Sequence, residues 1–119
     1  MTDFDQHIRY KHASNKKAVI AARHQIPEPN TLNYIAQFFG LLSDPTRLKI
    51  VIALKITELC VHEISETIGL SISAVSHQLR LLKTAKMVKS RRAGKMVYYS
   101  LDDEHIEQLI SVVENHVKE

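Results

Sequence analysis

The chain has 119 residues, a net charge of +3 and one cysteine, and these numbers limit what it can be. A chain of this length forms one domain with a modest core. The single cysteine excludes an internal disulfide framework and fits a reducing compartment. No run of about 18 apolar residues is present, which argues against a membrane span. The first twelve residues lack an apolar signal-peptide core, so we expect a cytoplasmic protein.

Residues 1–29 are predicted to form a partly mobile N-terminal arm. The segment is polar, with a helix expected around residues 15–24. It ends in Pro27 and Pro29, which make a semi-rigid break in the chain. Residues 30–119 are then predicted to form the folded domain.

Two helices with apolar faces are predicted at the start of this domain. The first covers residues 31–42, and its expected core-facing residues are Leu32, Ile35, Phe38, Phe39 and Leu42. The second begins at Pro45, because Asp44 is a favourable N-cap and proline is favourable at the first helical position. Its predicted inward residues are Leu48, Val51, Ile52 and Ile56.

A pair of shorter helices follows, with a tight turn between them. The first, over 61–68, directs Ile64 and Ile68 inward and ends at Gly69, where a left-handed C-cap is expected. The second covers 72–84 after a cap at Ser71 or Ser73, and its inward residues are Val75, Leu79 and Leu82. The turn is so short that the two helices must cross steeply, as in helix-turn-helix units.

The apolar period then changes from that of a helix to that of a strand. Residues 87–92 and 96–101 are β-prone and flank Ala93-Gly94-Lys95, which predicts a hairpin that turns at the glycine. A closing helix follows Asp102 or Asp103 as N-cap, and its inward stripe is Ile106, Leu109, Ile110, Val113 and Val117. This order of elements predicts a mainly α fold with a β-hairpin wing, the winged helix-turn-helix.

Charge is distributed unevenly over the second half of the chain. Residues 67–101 contain seven Lys or Arg and no acid, whereas residues 102–119 contain six acids and a single base. The first segment is suited to face a polyanion, and the second is suited to face cations or water.

The helix over 72–84 has the features of a DNA recognition helix. Short polar side chains near its start allow close approach to a major groove, and longer donors can reach base edges or phosphates. Basic residues of the hairpin are placed for phosphates beside an adjacent minor groove. The predicted DNA contacts are Ser73, Ser76, His77, Gln78, Arg80, Lys83, Arg91, Arg92 and Lys95. The plainer alternative is a solvated basic face.

Four potential metal ligands lie at the two ends of the closing helix: Asp103 and His105 at its start, His116 and Glu119 at its end. Eleven residue steps lead from His105 to His116, so the two histidines share nearly the same helix face but lie roughly 16 Å apart, too far to share one ion. A second helix running antiparallel would bring His105 of one chain beside His116 of the other. The pattern therefore predicts a homodimer with two equivalent metal sites.

Motifs in a fixed order resemble the ArsR/SmtB family of bacterial repressors. They are LSDPTRL at 42–48, ELCV at 58–61, AVSHQLRLL at 74–82 and VYYSL at 97–101. The resemblance covers roughly residues 32–119. It implies a dimeric repressor that binds operator DNA and leaves it on binding metal.

The resemblance extends to the zinc-sensing branch of that family. In this branch the last helix carries Asp-x-His near its start and His-x-x-Glu near its end, which matches Asp103, His105, His116 and Glu119. Two imidazoles and two carboxylates suit tetrahedral Zn(II) or Co(II), and the set lacks the thiolates that favour Cu(I), Cd(II) or Pb(II). The alternative is that these side chains are merely solvated.

A possible second metal site comprises Cys60, His62 and Glu63, with His7 and His12 from the arm. Relatives that sense thiophilic metals carry two cysteines in this segment, whereas the second position here is His62. The set could bind zinc through sulfur, nitrogen and oxygen. Alternatively, Cys60 is simply a small buried residue.

Other functions stay open at this point. A winged-helix repressor could respond to oxidation or a small molecule through Cys60, although a lone cysteine has no resolving partner within the chain. A dimeric interaction module without a DNA role is a further alternative. A zinc-storing or enzymatic domain is another alternative, but an enzyme is disfavoured, because four protein ligands leave a tetrahedral ion no open position.

Overall fold

The computed structural model describes residues 14–119, which form six helices and three strands. Contacts divide the chain into an N-terminal unit that ends at Ala36 and a larger unit, Gln37–Glu119. The predicted domain boundary at residues 29–30 stays a prediction. Within residues 14–119, no helix is both long enough and apolar enough to cross a membrane.

The first two helices begin differently, one at a capping side chain and one at a proline. Helix α1 spans Lys16–Gln25, where a helix was expected, and the side chain of Asn15 accepts a hydrogen bond from the backbone N–H of Ala18 at 3.1 Å. Helix α2 spans Pro29–Leu42, so proline occupies the first helical position as its missing N–H allows.

The prediction that α2 is a core helix along its whole apolar face was wrong for three residues. Leu32, Ile35 and Phe39 are 44%, 41% and 56% exposed. The residues of α2 that pack against the core of the larger unit are Phe38, Leu41 and Leu42. Helical spacing identifies an apolar face, but it does not say what covers that face.

Helix α3 spans Pro45–Ile56 and begins as predicted. The carboxylate of Asp44 accepts from the backbone N–H of Arg47 at 3.0 Å, and Pro45 opens the helix. Its buried residues are Ile50, Val51 and Leu54, with Leu48 and Ile52 partly buried beside them. Ile56 is 75% exposed, contrary to the prediction. It lies about half a turn from the buried stripe, so it faces solvent in the last turn.

Strand β1, Leu59–Cys60, was missed because two residues carry no alternation pattern. It pairs antiparallel with β3, with Leu59 opposite Tyr99 and Cys60 opposite Tyr98. The predicted hairpin is confirmed as β2, Val88–Ala93, and β3, Met96–Leu101. The strand order is β1-β3-β2, and the hairpin turns at Gly94, which has φ +62°.

The helix-turn-helix pair is confirmed. Helix α4, Val61–Ile68, ends at Gly69 in the left-handed conformation, with φ 75° and ψ 30°. Helix α5, Ile72–Thr84, begins after Ser71, whose hydroxyl accepts from the N–H of Ala74 at 3.1 Å. The predicted inward residues of both helices lie against the core, and the fully buried ones are Ile64, Val75, Leu79 and Leu82.

Helix α6, Glu104–Lys118, closes the fold after Asp103 as N-cap. Ile106 and Ile110 are buried, but Val113 and Val117 are 50% and 73% exposed. The C-terminal half of the predicted apolar stripe therefore does not reach the core of this chain. The helix is attached to α3 by an ion pair in which Lys55 Nζ lies 2.7 Å from Glu114 Oε1.

Lys86 occupies a position that glycine usually fills. Its φ is +60°, and the backbone N–H groups of Lys86 and Met87 bond to the carbonyls of Lys83 and Leu82. This bonding pattern is a Schellman motif, in which the left-handed residue is strained by its Cβ. We expect Lys86→Gly to raise the free energy of unfolding by about 0.5–1 kcal/mol.

Urea unfolding of both proteins measures this difference. Lys86→Ala is the matched control, since it removes the charge but keeps the Cβ. If Lys86→Ala stabilises as much as Lys86→Gly, the gain comes from the removed charge and the conformational explanation fails.

Candidate metal and nucleic-acid sites

The start of α6 brings the first two predicted ligands together. His105 Nδ1 lies 3.5 Å from Asp103 Oδ1, and both side chains are largely exposed. The same carboxylate oxygen accepts the backbone N–H groups of His105 at 2.8 Å and Ile106 at 3.3 Å. The helix cap therefore fixes the position of Asp103, and it leaves the second carboxylate oxygen to bind an ion.

The Asp103 carboxyl is favoured in its ionised form. Partial desolvation works against ionisation, but the hydrogen bonds from the backbone of His105 and Ile106 and the neighbouring imidazole together lower its pKa. An ionised carboxylate beside an imidazole is a donor pair suited to a divalent cation.

The other two predicted ligands lie at the opposite end of the helix. His116 is in the last turn and Glu119 is the residue after the helix, and both are exposed. Among residues 14–119, no three His, Cys, Asp or Glu side chains come together within one chain so as to hold a metal ion. The structure thus brings the first pair together and leaves the second pair a helix length away.

A feature that was not predicted from the sequence connects the two pairs along α6. His105, Leu109, Val112 and His116 recur at steps of four, three and four residues, which is the spacing of a coiled-coil seam. We call these four residues the seam. Val112 is 65% exposed, Leu109 is half-buried, and both histidines are exposed. An apolar pair flanked by two imidazoles therefore faces outward along α6.

Two residues of the possible second site, Cys60 and Glu63, already have structural partners. Cys60 is 4% exposed and pairs with β3, and its backbone N–H donates to Glu63 Oε1 at 2.9 Å. This backbone hydrogen bond is the main reason that the pKa of Glu63 is lowered. His62 is exposed on α4. The other two candidates, His7 and His12, lie outside the described residues.

Helix α5 presents most of its predicted DNA contacts to solvent. Ser73, His77 and Arg80 are exposed, whereas Ser76 and Gln78 are half-buried on the flanks of the helix. Because buried Val75, Leu79 and Leu82 occupy the opposite side, these polar residues form one continuous outer face.

Arg47, which was not predicted from the sequence to be functional, contacts Gln78 at the edge of this face. Its Nε donates to the carbonyl of Leu41 at 2.8 Å and its Nη1 donates to Gln78 Oε1 at 3.2 Å. A guanidinium has only donors, so Gln78 must present its oxygen to Arg47 and keeps its amide N–H groups for other partners. The LSDPTRL motif contained Arg47, but no local pattern indicates its contact with a residue 31 positions away.

The basic residues at the end of α5 and on the wing differ in how they are held. Lys83 Nζ donates to Ser90 Oγ at 2.7 Å, which joins α5 to β2. Arg91 donates to both carboxylate oxygens of Glu58. Arg92 makes only a long contact, 3.4 Å, with the carbonyl of Gly94, and Lys95 is exposed in the hairpin loop.

The helix-turn-helix pair, the recognition helix and the attached hairpin define a winged helix-turn-helix protein, and comparison with known proteins agrees. The family model described as bacterial regulatory protein, arsR family, matches residues 44–90. The cadmium resistance transcriptional regulatory protein CadC homolog of Staphylococcus aureus is 42% identical over 99 residues, which are 82% of this chain and 81% of that protein. The chain belongs to the ArsR family of bacterial regulatory proteins.

Two further relatives support this assignment. The transcriptional repressor SmtB homolog of Synechocystis sp. is 47% identical over 85 residues, or 71% of this chain, and the match spans 64% of that protein's length. The homodimeric winged helix-turn-helix domain Mb0332 of Mycobacterium bovis has a TM-score of 0.70 at 25% identity, and the match covers 91% of this chain and 90% of that domain. The relatives are transcriptional regulators, as the sequence predicted, and not enzymes.

Proposed function

We propose that the chain is a metal-responsive transcriptional repressor of the ArsR/SmtB type that binds operator DNA as a homodimer. Zinc, or cobalt, bound between the two α6 helices would release it from the operator. The observation that carries the proposal is the seam of α6, with one ligand pair at each end. Neither pair suffices for a tetrahedral ion, and an antiparallel second copy would complete two such sites.

The seam supports this pairing by its geometry. The eleven residue steps from His105 to His116 rotate by about 20° beyond three full turns, so both imidazoles lie on one side of α6. When His105 of one copy is set beside His116 of the other, Leu109 falls opposite Val112. The same arrangement would therefore cover half-buried Leu109 and exposed Val112 of both copies and assemble both metal sites.

The donor set favours zinc or cobalt among the candidate metals. Asp103 and His105 of one copy, with His116 and Glu119 of the other, supply two nitrogens and two oxygens for an ion that would neutralise the facing carboxylates. The relatives include a protein named for cadmium resistance. In this chain the thiol of Cys60 is buried in β1, which argues against a thiophilic metal and against oxidation of that thiol as the signal.

DNA binding would use the outer face of α5 and the wing. Ser73, Ser76, His77, Gln78, Arg80 and Lys83 would lie in or along the major groove, and Arg92 and Lys95 would contact phosphates. Two such faces in a dimer would match an operator with two-fold symmetry. Ion binding across the α6 helices would favour an arrangement of the two copies in which the recognition helices no longer match successive grooves.

This mechanism is a thermodynamic linkage, and it can be measured directly. With an operator selected from a random duplex library, we expect saturating zinc to weaken DNA binding about 5–150-fold, the usual range of such coupling. DNA should weaken zinc binding by the same factor. Fluorescence anisotropy with and without zinc provides the measurement. Equal operator affinity for the zinc-free and zinc-loaded protein would contradict the proposal.

A further inference from the structure

Arg91 does not project freely from the wing. Its Nε lies 3.0 and 2.9 Å from the two carboxylate oxygens of Glu58, and its Nη2 lies 2.6 Å from Oε1. The guanidinium also lies over the ring of Tyr98, with its carbon 5.1 Å from the ring centroid. Short, charge-assisted contacts to both oxygens hold an arginine in one orientation.

The pair connects the two outer strands of the sheet. Arg91 is on β2 opposite Tyr98 of β3, and Glu58 directly precedes β1, whose Cys60 also pairs with Tyr98. Since β3 lies between β1 and β2, the Glu58–Arg91 contact crosses the sheet above the Tyr98 ring. It therefore ties the wing hairpin to the segment that leads into the helix-turn-helix.

Arg91 and Arg92 point to opposite faces of the sheet, because successive side chains of a strand alternate. Arg92 shares its face with Ser90, and Ser90 accepts a hydrogen bond from Lys83 of α5. The face of the sheet that carries Arg92 is therefore the face next to α5, the proposed recognition helix. Arg91 is on the other side, with its charge balanced by Glu58.

We infer that the Glu58–Arg91 pair is a clamp that sets the position of the wing, and that Arg91 is a positioning residue and not a phosphate contact. The inference rests on the proposed DNA-binding function, within which it assigns the phosphate contacts of the wing to Arg92 and Lys95. Glu58 is thereby a determinant of operator binding, although an acidic residue at a DNA-binding surface would otherwise be expected to repel phosphate.

A charge swap distinguishes a clamp from a direct contact. The variants are R91E, E58R/R91E and R92M, and each is measured for operator affinity over a range of salt concentrations. We expect R91E to weaken binding on the order of tenfold, because two carboxylates then face each other and the wing is displaced. The double variant restores the ion pair in reverse, so it should recover most of the lost affinity.

The salt dependence of operator affinity gives a second readout. It reflects the number of phosphate contacts, so it should not change when a residue with only a structural role is replaced. Each lost phosphate contact reduces the slope of log affinity against log salt by about one, so a dimer that loses one contact per copy should lose about two. We expect this reduction for R92M but not for the neutral double variant E58Q/R91M, which removes a pair of zero net charge. Thermal unfolding shows which variants fold. If R91E does not fold, the comparison of E58Q/R91M with R92M decides whether Arg91 contacts phosphate.

The inference is overturned if E58R/R91E binds as weakly as R91E, or if E58Q/R91M loses as much slope as R92M. Either result would mean that Arg91 itself contacts phosphate. Failure of the parent protein to bind duplex DNA in a salt-dependent way would instead reject the proposed function, so the two failures are distinguishable.

Discussion

His116→Ala is expected to bind operator DNA as tightly as the parent protein and to stay bound when zinc is added. His116 is exposed in the last turn of α6 and belongs to neither the core nor the face of α5, so its loss should not disturb folding or DNA contact. It removes one of four ligands from each proposed site. The parent should lose about 5–150-fold in operator affinity with zinc, and the variant should lose almost none.

The measurement is operator anisotropy at matched protein concentration with increasing zinc. His24→Ala is the control, because His24 is an exposed histidine on α1 that has no part in the proposed site. It should respond to zinc like the parent. Release of His116→Ala from the operator at the zinc concentration that releases the parent would reject α6 as the regulatory site.

Val112→Glu is expected to convert the protein into a monomer that neither binds the operator tightly nor holds zinc. In the proposed dimer each Val112 packs against Leu109 of the other copy. A carboxylate there would be buried against an apolar side chain twice per dimer, and burying an uncompensated charge costs several kcal/mol. We expect the dimer dissociation constant to rise by at least about a hundredfold, as measured by analytical ultracentrifugation.

Asn115→Glu provides the charge-matched control on the same helix. Asn115 is exposed and lies about a quarter turn from the centre of the seam, so the added carboxylate should stay in water. Its circular dichroism, zinc binding and oligomeric state should be those of the parent. A Val112→Glu protein that is still dimeric would mean that the subunits meet through another surface.

The elements that were predicted correctly from the sequence are those determined by interactions between residues close together in the chain. Asp44, Ser71 and Gly69 each act on backbone groups within a few residues, and each forms the cap that its position indicated. Helix α5 has the predicted bounds because its caps and apolar spacing agree. Where local signals reinforce one another in this way, the structure of a segment follows from its own residues.

The elements that were missed depend on partners far along the chain. Strand β1 has two residues and exists only because β3 pairs with it. Ile56, Val113 and Val117 have plausible helical spacing, but spacing cannot tell which side of a helix another element will cover.

The candidate sites show the same division. The candidate ligand pairs of α6 are visible in the sequence because each pair is local, whereas the proposed closure into one site would require a second chain. The roles of Arg47 and Arg91 were not visible, because their partners Gln78 and Glu58 lie 31 and 33 positions away. Composition identified Arg91 as a basic residue of the wing, but only its contact with Glu58 indicates what that charge does.

Subunit complementation tests most directly whether each metal site is shared between two chains. His105→Ala and His116→Ala proteins are mixed, allowed to exchange subunits, and assayed by zinc titration. A mixed dimer has one site with both histidines missing and one with all four ligands. We expect that neither variant alone binds zinc tightly and that the mixture regains one tight site per mixed dimer. A mixture that binds no more tightly than its components would contradict a site shared between two chains.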